Sequence, residues 1–208
     1  MISNDEARMS SESAQVQQTA IIEEGVSLGR GVQVWHYAQI RKGAKIGDFS
    51  VIGANSYIGL GVVIGSNSKI QNSAKIYEPA SIAEGVFIGP NAVLTNDLHP
   101  RAININGTRK STEDWNPAGV LVGKGASVGA GAICVAPITL GEWSMIAAGA
   151  VVVTDVKPFA LVAGIPAKQI AWVGRSGQIL KKVNEDQFEC PTTSEKYRIQ
   201  NDTLVCES

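Results

Sequence analysis

Long apolar runs are absent from this chain. No stretch approaches the roughly 20 consecutive apolar residues that a membrane-spanning helix needs, and the polar start from Met1 to Gln18 lacks the apolar centre of a secretory signal. An excess of charge of one sign is lacking too. A net charge of −1 and an isoelectric point near 6.1 leave no basic footprint for nucleic acid or an anionic bilayer. Histidine is scarce, and the two present, His36 and His99, fall one short of the three-histidine set of a catalytic zinc site. Cys134, Cys190 and Cys206 form no CxxC pair, which argues against a disulfide framework or structural zinc. The expectation is a soluble, cytoplasmic protein without a metal.

Glycine is plentiful, with 22 residues, and the apolar residues follow a strict rule. Every sixth position from Ile22 to Leu94 is aliphatic: Ile22, Leu28, Val34, Ile40, Ile46, Ile52, Ile58, Ile64, Ile70, Ile76, Ile82, Ile88 and Leu94. Two residues before each stands a small or branched partner, such as Ala38, Ala44, Ser50, Ser56 and Val62. A gapless period of six fits neither an α-helix nor a flat strand and marks a hexapeptide β-helix. Three hexads make one triangular coil, which buries its inner side chains only by stacking on the next coil. Turn formers such as Gly47-Asp48 and Gly53-Ala54-Asn55 fall at the corners.

The repeat stops at Leu94 and resumes at Val122, Val128, Cys134, Leu140, Ile146 and Val152, a gap that is not a multiple of six. Residues 95–119 are therefore expected to leave the solenoid as a loop, and a long loop inside a repeat protein is usually functional. It carries Asn96, Asp97, His99, Arg101, Arg109, Glu113, Asp114 and Trp115. The organisation read from the sequence is a polar arm over 1–18, a β-helix over 19–158 interrupted by that loop, and an extension over 159–208. Within the extension, 173–183 is expected to form a short helix. The tail from Cys190 to Val205 reads as a hairpin around Asn201-Asp202.

The hexads, followed by the A-G-A-V-V run from Ala148 to Val152 and the G-I-P-A-K run from Gly164 to Lys168, resemble the hexapeptide acyltransferases that use acetyl-coenzyme A. A narrower resemblance rests on Trp35-His36, on Lys69-Ile70-Gln71-Asn72 with Tyr77, on Gly89-Pro90 through Thr95-Asn96 to Pro100-Arg101, and on the tail from Gly177 to Tyr197. These are similar to the UDP-2-acetamido-3-amino-2,3-dideoxyglucuronate N-acetyltransferases and the related dTDP-3-amino-3,6-dideoxyhexose N-acetyltransferases. The resemblance implies an all-β, left-handed parallel β-helix and a homotrimer with active sites between subunits. It implies acetyl-CoA as cosubstrate, without metal, and an acceptor amine on a nucleotide-linked sugar of surface polysaccharide. It further implies that the cofactor lies along the last coils, which nominates Gly131, Ala148, Gly149, Ile165 and Lys168. The chain departs from that pattern at Asp97, at His99, where the family has asparagine, and in its longer loop.

Acetyl transfer to an amine needs alignment of a competent nucleophile, oxyanion stabilisation and an exit for one proton. The resemblance places Asn96 beside the amino group, while Asp97 or His99 is available to accept the proton. His36, Gln71, Asn72, Tyr77 and Arg101 are the candidate substrate contacts. For His36 the competing reading is a hydrogen-bonded place at a subunit seam, and for Asn72 a structural ladder. Arg101 suits a sugar carboxylate or diphosphate through paired guanidinium bonds, or a salt bridge that anchors the loop.

Overall fold

The computed structural model describes residues 13–207. Two-residue strands recur every six residues and stack as three parallel sheets. The first sheet runs from Gln15–Val16 through Gln33–Val34 and Lys69–Ile70 to Met145–Ile146 and Ala160–Gly164. The second runs from Ile21–Ile22 to Val151–Val152, and the third from Ser27–Leu28 to Ile138–Leu140. Register advances by one coil per step: Val34 pairs with Ile52, Ile40 with Ile58, and Ile46 with Ile64. The architecture is the left-handed β-helix of hexapeptide repeats.

The second residue of each strand points into the solenoid. Ile40, Ile52, Ile58, Ile70, Ile76 and Ile88 have no exposed surface, and Ala38, Ala44, Ala74 and Ala92 fill the space beside them. One large and one small residue per face is what the narrow interior holds. Serines at small positions satisfy their hydroxyls locally: Ser50 Oγ donates to the Gly65 carbonyl at 2.9 Å and accepts the Ser68 N–H at 3.1 Å. Cys134 stacks between Leu94 and Val152, and burial pushes its thiol up to about 12, so it behaves as a small apolar residue.

The chain leaves the second sheet after Val93–Leu94 and rejoins the third at Val120–Val122, where Leu121 pairs with Ser81. The base of this excursion is closed by Ala118 N–H on the Asn96 carbonyl at 3.0 Å. A second bond runs from Ala136 N–H to Thr95 Oγ1 at 3.1 Å. The excursion contains the bridge Ile103 to Arg109 and a 3-10 turn, Thr112–Asp114, capped by Ser111.

Three features differ from the sequence expectation. The first solenoid sheet continues past residue 158, because Leu161 and Val162 pair in parallel with Met145 and Ile146. Most of the polar arm lies outside the described residues, but Gln15–Val16 already pairs with Gln33–Val34, so coil stacking begins inside it. The expected helix over 173–183 is absent. Val173 instead bridges Ile179 antiparallel across a turn in which Gly177 has φ of 78°, and that left-handed residue breaks a helical path. Lys181–Lys182, Gln187–Glu189, Lys196–Gln200 and Thr203–Cys206 then form a four-stranded antiparallel sheet. The hairpin around Asn201-Asp202 is present, both residues having positive φ as a two-residue turn requires. Its small core gathers Tyr197, Cys190, Leu204 and Phe159, with Phe159 edge-on to Tyr197 at 5.4 Å.

Candidate functional site

The excursion and the coils beneath it enclose a cleft of about 540 Å³ at the corner that joins the second sheet to the third. Tyr57 and Tyr77 form its floor, their rings 5.1 Å apart and tilted by 43°. Arg41 steadies Tyr57 by donating from Nη1 to its hydroxyl at 3.0 Å, and Glu23 in turn pairs with the Arg41 guanidinium. Asn96, Asp97, Arg101, Arg109, Lys110 and Trp115 supply the remaining wall. The three cations form no ion pair with any described acid. Arg101 Nη1 donates only to the neighbouring Pro100 carbonyl, at 2.9 Å, so the loop-anchoring salt bridge is not seen. A cleft lined by unpaired cations and aromatic faces is suited to an anionic ligand with a planar ring.

His99 belongs to a second, adjoining cleft of about 470 Å³, lined also by Leu98, Asp114, Trp115 and Pro137. Asp97, Lys110 and Trp115 border both spaces. The sequence-nominated trio is thus partly divided: Asn96 and Asp97 share the tyrosine cleft, and His99 does not.

Glu78 also lines the tyrosine cleft and was not singled out by the sequence. Its position is set by register: Ile76 pairs with Leu94, so Glu78 stands one coil below Asn96. Its Oε2 is buried and has no hydrogen-bond partner. Side chains at two other corners show the contrast. Asp48 Oδ1 accepts the Arg30 N–H and Asn72 Oδ1 the Ala54 N–H, both at 2.9 Å. In sequence the available signal was an acid one full coil, eighteen residues, before Asn96.

The remaining nominated residues gather on a different edge, the corner between the first and second sheets. His36, Asn72 and Ala148 stand there in one line, with Gln71 on one side of it and Gly131 and Gly149 on the other. A ladder of backbone bonds runs along this line: Asn91 N–H to the Asn72 carbonyl, Gly131 N–H to that of Pro90, and Gly149 N–H to that of Ala130. The ladder ends at Ala148, whose carbonyl and N–H have no backbone partner among the described residues. Gly131 and Gly149 have φ of 65° and 70°, and a Cβ on either would meet open space. The groove is therefore kept shallow by the absence of side chains. The turn between Ala160–Gly164 and Ala167–Trp172 closes it, with Ile165 75% exposed and Lys168 exposed on the adjoining strand. An extended amide chain can bond to Ala148 and place an anionic end near Lys168, so these residues fit the cosubstrate that the resemblance implies.

Asn72 spends its amide oxygen on the corner below it, and His36 Nδ1 lies 2.8 Å from Thr19 Oγ1. Both thus have structural partners as well as exposed surface. The ladder corner and the tyrosine corner are separated by one face of six residues, at most about 20 Å of chain. A single chain does not bring the two groups together.

The bacterial transferase hexapeptide family (six repeats) matches residues 25–60 and 61–96, and the hexapeptide repeat of succinyl-transferase matches 119–154. Together they span just over half of the chain. Serine acetyltransferase 2 of Arabidopsis thaliana is 40% identical over 89 residues, 41% of this chain and 26% of the relative. Serine acetyltransferase of Escherichia coli K12 is 36% identical over 87 residues, 41% and 31% of the two chains. This chain thus spans about a quarter to a third of these relatives' length. Among solved structures, the acetyltransferase domain of PglB from Neisseria gonorrhoeae shares the fold with a TM-score of 0.53 and 21% identity, over 80% of this chain and 62% of that one. The period of six, the three stacked sheets and these matches agree, and the chain belongs to the hexapeptide-repeat transferases.

Proposed function

We propose that this protein moves an acetyl group from acetyl-CoA to the amine of a UDP-linked amino sugar, at C3, in surface-polysaccharide synthesis. The observation that carries the reading is the tyrosine cleft, which sets Asn96 beside three unpaired cations and two mutually tilted tyrosine rings. A nucleotide sugar supplies what that lining asks for: a base to stack, a diphosphate, and in a uronate one further carboxylate. Arg101, Arg109 and Lys110 take the anionic groups, and Asn96 orients the amine. The pantetheine arm of acetyl-CoA runs along Gly131, Ala148 and Gly149, with its phosphates at Lys168. Both substrates are metabolites of the cytoplasm, where the enzyme works.

The separation of the two corners is met by a homotrimer, in which the loop of one subunit closes over the ladder corner of the next. Amine transfer then depends on alignment, worth about 7 kcal/mol or more in well-placed reactions. A neutral amine is nucleophilic without a strong base.

The test is thiol release from acetyl-CoA against UDP- and dTDP-linked 3-amino and 4-amino sugars, with serine alongside. Turnover on the UDP-linked 3-amino uronate supports this reading. Preference for a dTDP-3-amino-3,6-dideoxyhexose or a UDP-4-amino sugar moves the substrate within the class. Turnover on serine alone replaces it, an outcome made specific by the serine acetyltransferases among the relatives. Coenzyme A left unbound would turn the reading toward a non-catalytic scaffold.

A further inference from the structure

We infer that Tyr57 donates its hydroxyl proton to a diphosphate oxygen of the acceptor nucleotide, and that Arg41 is the positioning residue that aims it. The inference rests on the nucleotide-sugar reading above and adds a donor and its orienting partner to it. Arg41 Nη1 lies 3.0 Å from the Tyr57 hydroxyl. A guanidinium carries donors and no acceptor, so the tyrosine oxygen must accept and its own proton must point elsewhere. Tyr57 makes no other side-chain hydrogen bond among the described residues.

The acids nearby are committed to other groups. Glu23 accepts from Arg41 Nε on one oxygen and from the Lys42 N–H, at 2.8 Å, on the other. Asp97 Oδ1 accepts the His99 N–H, and neither Asp97 nor Glu78 is bonded to Tyr57 although all three line the cleft. A half-buried donor whose oxygen is held in place and whose proton has no acceptor calls for one from a ligand.

Position along the solenoid says which part of the ligand arrives there. Ile40, Ile58, Ile76 and Leu94 pair in succession, so Arg41 stands three coils from Thr95, about 14 Å at the usual strand spacing. Tyr57 spans part of that interval: its ring lies against Tyr77, 5.1 Å between centroids, while its hydroxyl reaches back to Arg41. With the sugar amine at Asn96, the hydroxyl meets the ligand beyond the sugar, on the side of the phosphates. The chemistry agrees with that placement. Arg101, Arg109 and Lys110 line the same cleft, and a phenol oxygen that accepts from a guanidinium becomes a stronger donor through its own proton, which suits an anionic acceptor.

The experiment is calorimetric binding of UDP and of 2′-deoxy-UDP to wild type, Tyr57→Phe, Arg41→Met and the double variant, with a melting temperature for each. Tyr57→Phe keeps the ring against Tyr77 and removes the donor, so both nucleotides should bind about 10- to 100-fold more weakly, the range of one charge-assisted hydrogen bond. Arg41→Met leaves the hydroxyl free to turn away and should weaken both by about 3- to 10-fold, with little change in melting temperature. In the Tyr57→Phe background the same change should cost nothing, because Arg41 acts through the hydroxyl. In turnover Arg41→Met should raise KM for the nucleotide sugar by the same factor and leave kcat within about twofold. Tyr57→Phe binding both nucleotides as wild type does overturns the inference while leaving the function intact. So does a loss confined to UDP, which would put the hydroxyl on the ribose 2′-oxygen, and so does an Arg41→Met effect of equal size with and without the Tyr57 hydroxyl. Failure of wild type to bind either nucleotide overturns the nucleotide-sugar reading, and this inference with it.

Discussion

The Asp97 carboxylate is bonded to the backbone of His99 and not to its ring: Oδ1 accepts the His99 N–H at 3.0 Å. That bond makes a tight turn just beyond Asn96 and commits the acid to shaping the loop. His99 is exposed and lines the adjoining cleft, not the tyrosine cleft. The pair is therefore not arranged as an acid that orients an imidazole base. Asn96→Ala should lower kcat by about 100-fold, as loss of an aligning contact does. His99→Ala should remain within about threefold of wild type on the same kinetics. A collapse of turnover in His99→Ala would restore the histidine as the proton acceptor.

Ile64 tests which face is inside. It is 1% exposed and stacks between Ile46 and Ile82. Replacing it with aspartate buries an unpaired charge at a cost of several kcal/mol, a large fraction of a domain's stability. Ile64→Asp should melt at least about 10 °C lower than wild type, while Ile64→Val, at about 1 kcal/mol, should shift by only a few degrees. An unchanged melt for the aspartate variant would mean that the interior assignment is wrong.

The solenoid was readable in sequence because each coil repeats one physical demand. Ile22 through Leu94 satisfy it without a gap, and the break before Val122 located the excursion. The two clefts were not readable, since they depend on how the excursion folds back. Asn104 to Thr108 and Ser111 to Asp114 close turns whose hydrogen bonds have no periodic signature. Glu78 escaped attention for a related reason. At a corner an acid ordinarily reads as a solvated or capping residue, and only the three-dimensional inventory shows that its oxygen caps nothing. The helix expected over 173–183 failed where Gly174, Ser176 and Gly177 favour a turn, a local preference that outweighed the apolar spacing.

Cys190 gives the C-terminal sheet a pH dependence. Its thiol is held down at about 6, chiefly by the Ser176 hydroxyl at 3.1 Å and then by Thr192 at 3.3 Å. A thiol lowered in the fold is ionised while the unfolded chain still holds its proton, so the folded state binds fewer protons between about 6 and 9. Its contribution is absent below that window, grows with rising pH and is complete above it. Urea unfolding of wild type and Cys190→Ser across the window should give a stability difference that widens in favour of wild type as pH rises. Curves that stay parallel would show that the hydroxyls do not hold a thiolate.

The separation of the two corners makes the strongest demand on the assembly. Ala148 is exposed at the end of the ladder corner, so Ala148→Trp should block an extended cofactor while leaving the solenoid interior untouched. Asn96→Ala disables the loop instead. Each variant alone should be nearly inactive. If sites form between subunits, mixing the two in equal amounts after unfolding and refolding creates interfaces that pair an intact loop with an intact ladder corner. Random trimers would give such pairs at about a quarter of interfaces, with turnover near that fraction of wild type. A mixture as inactive as its components, in trimers shown to have exchanged subunits, would place the whole reaction on one chain. The width of the second sheet would then have to be bridged by movement of the loop.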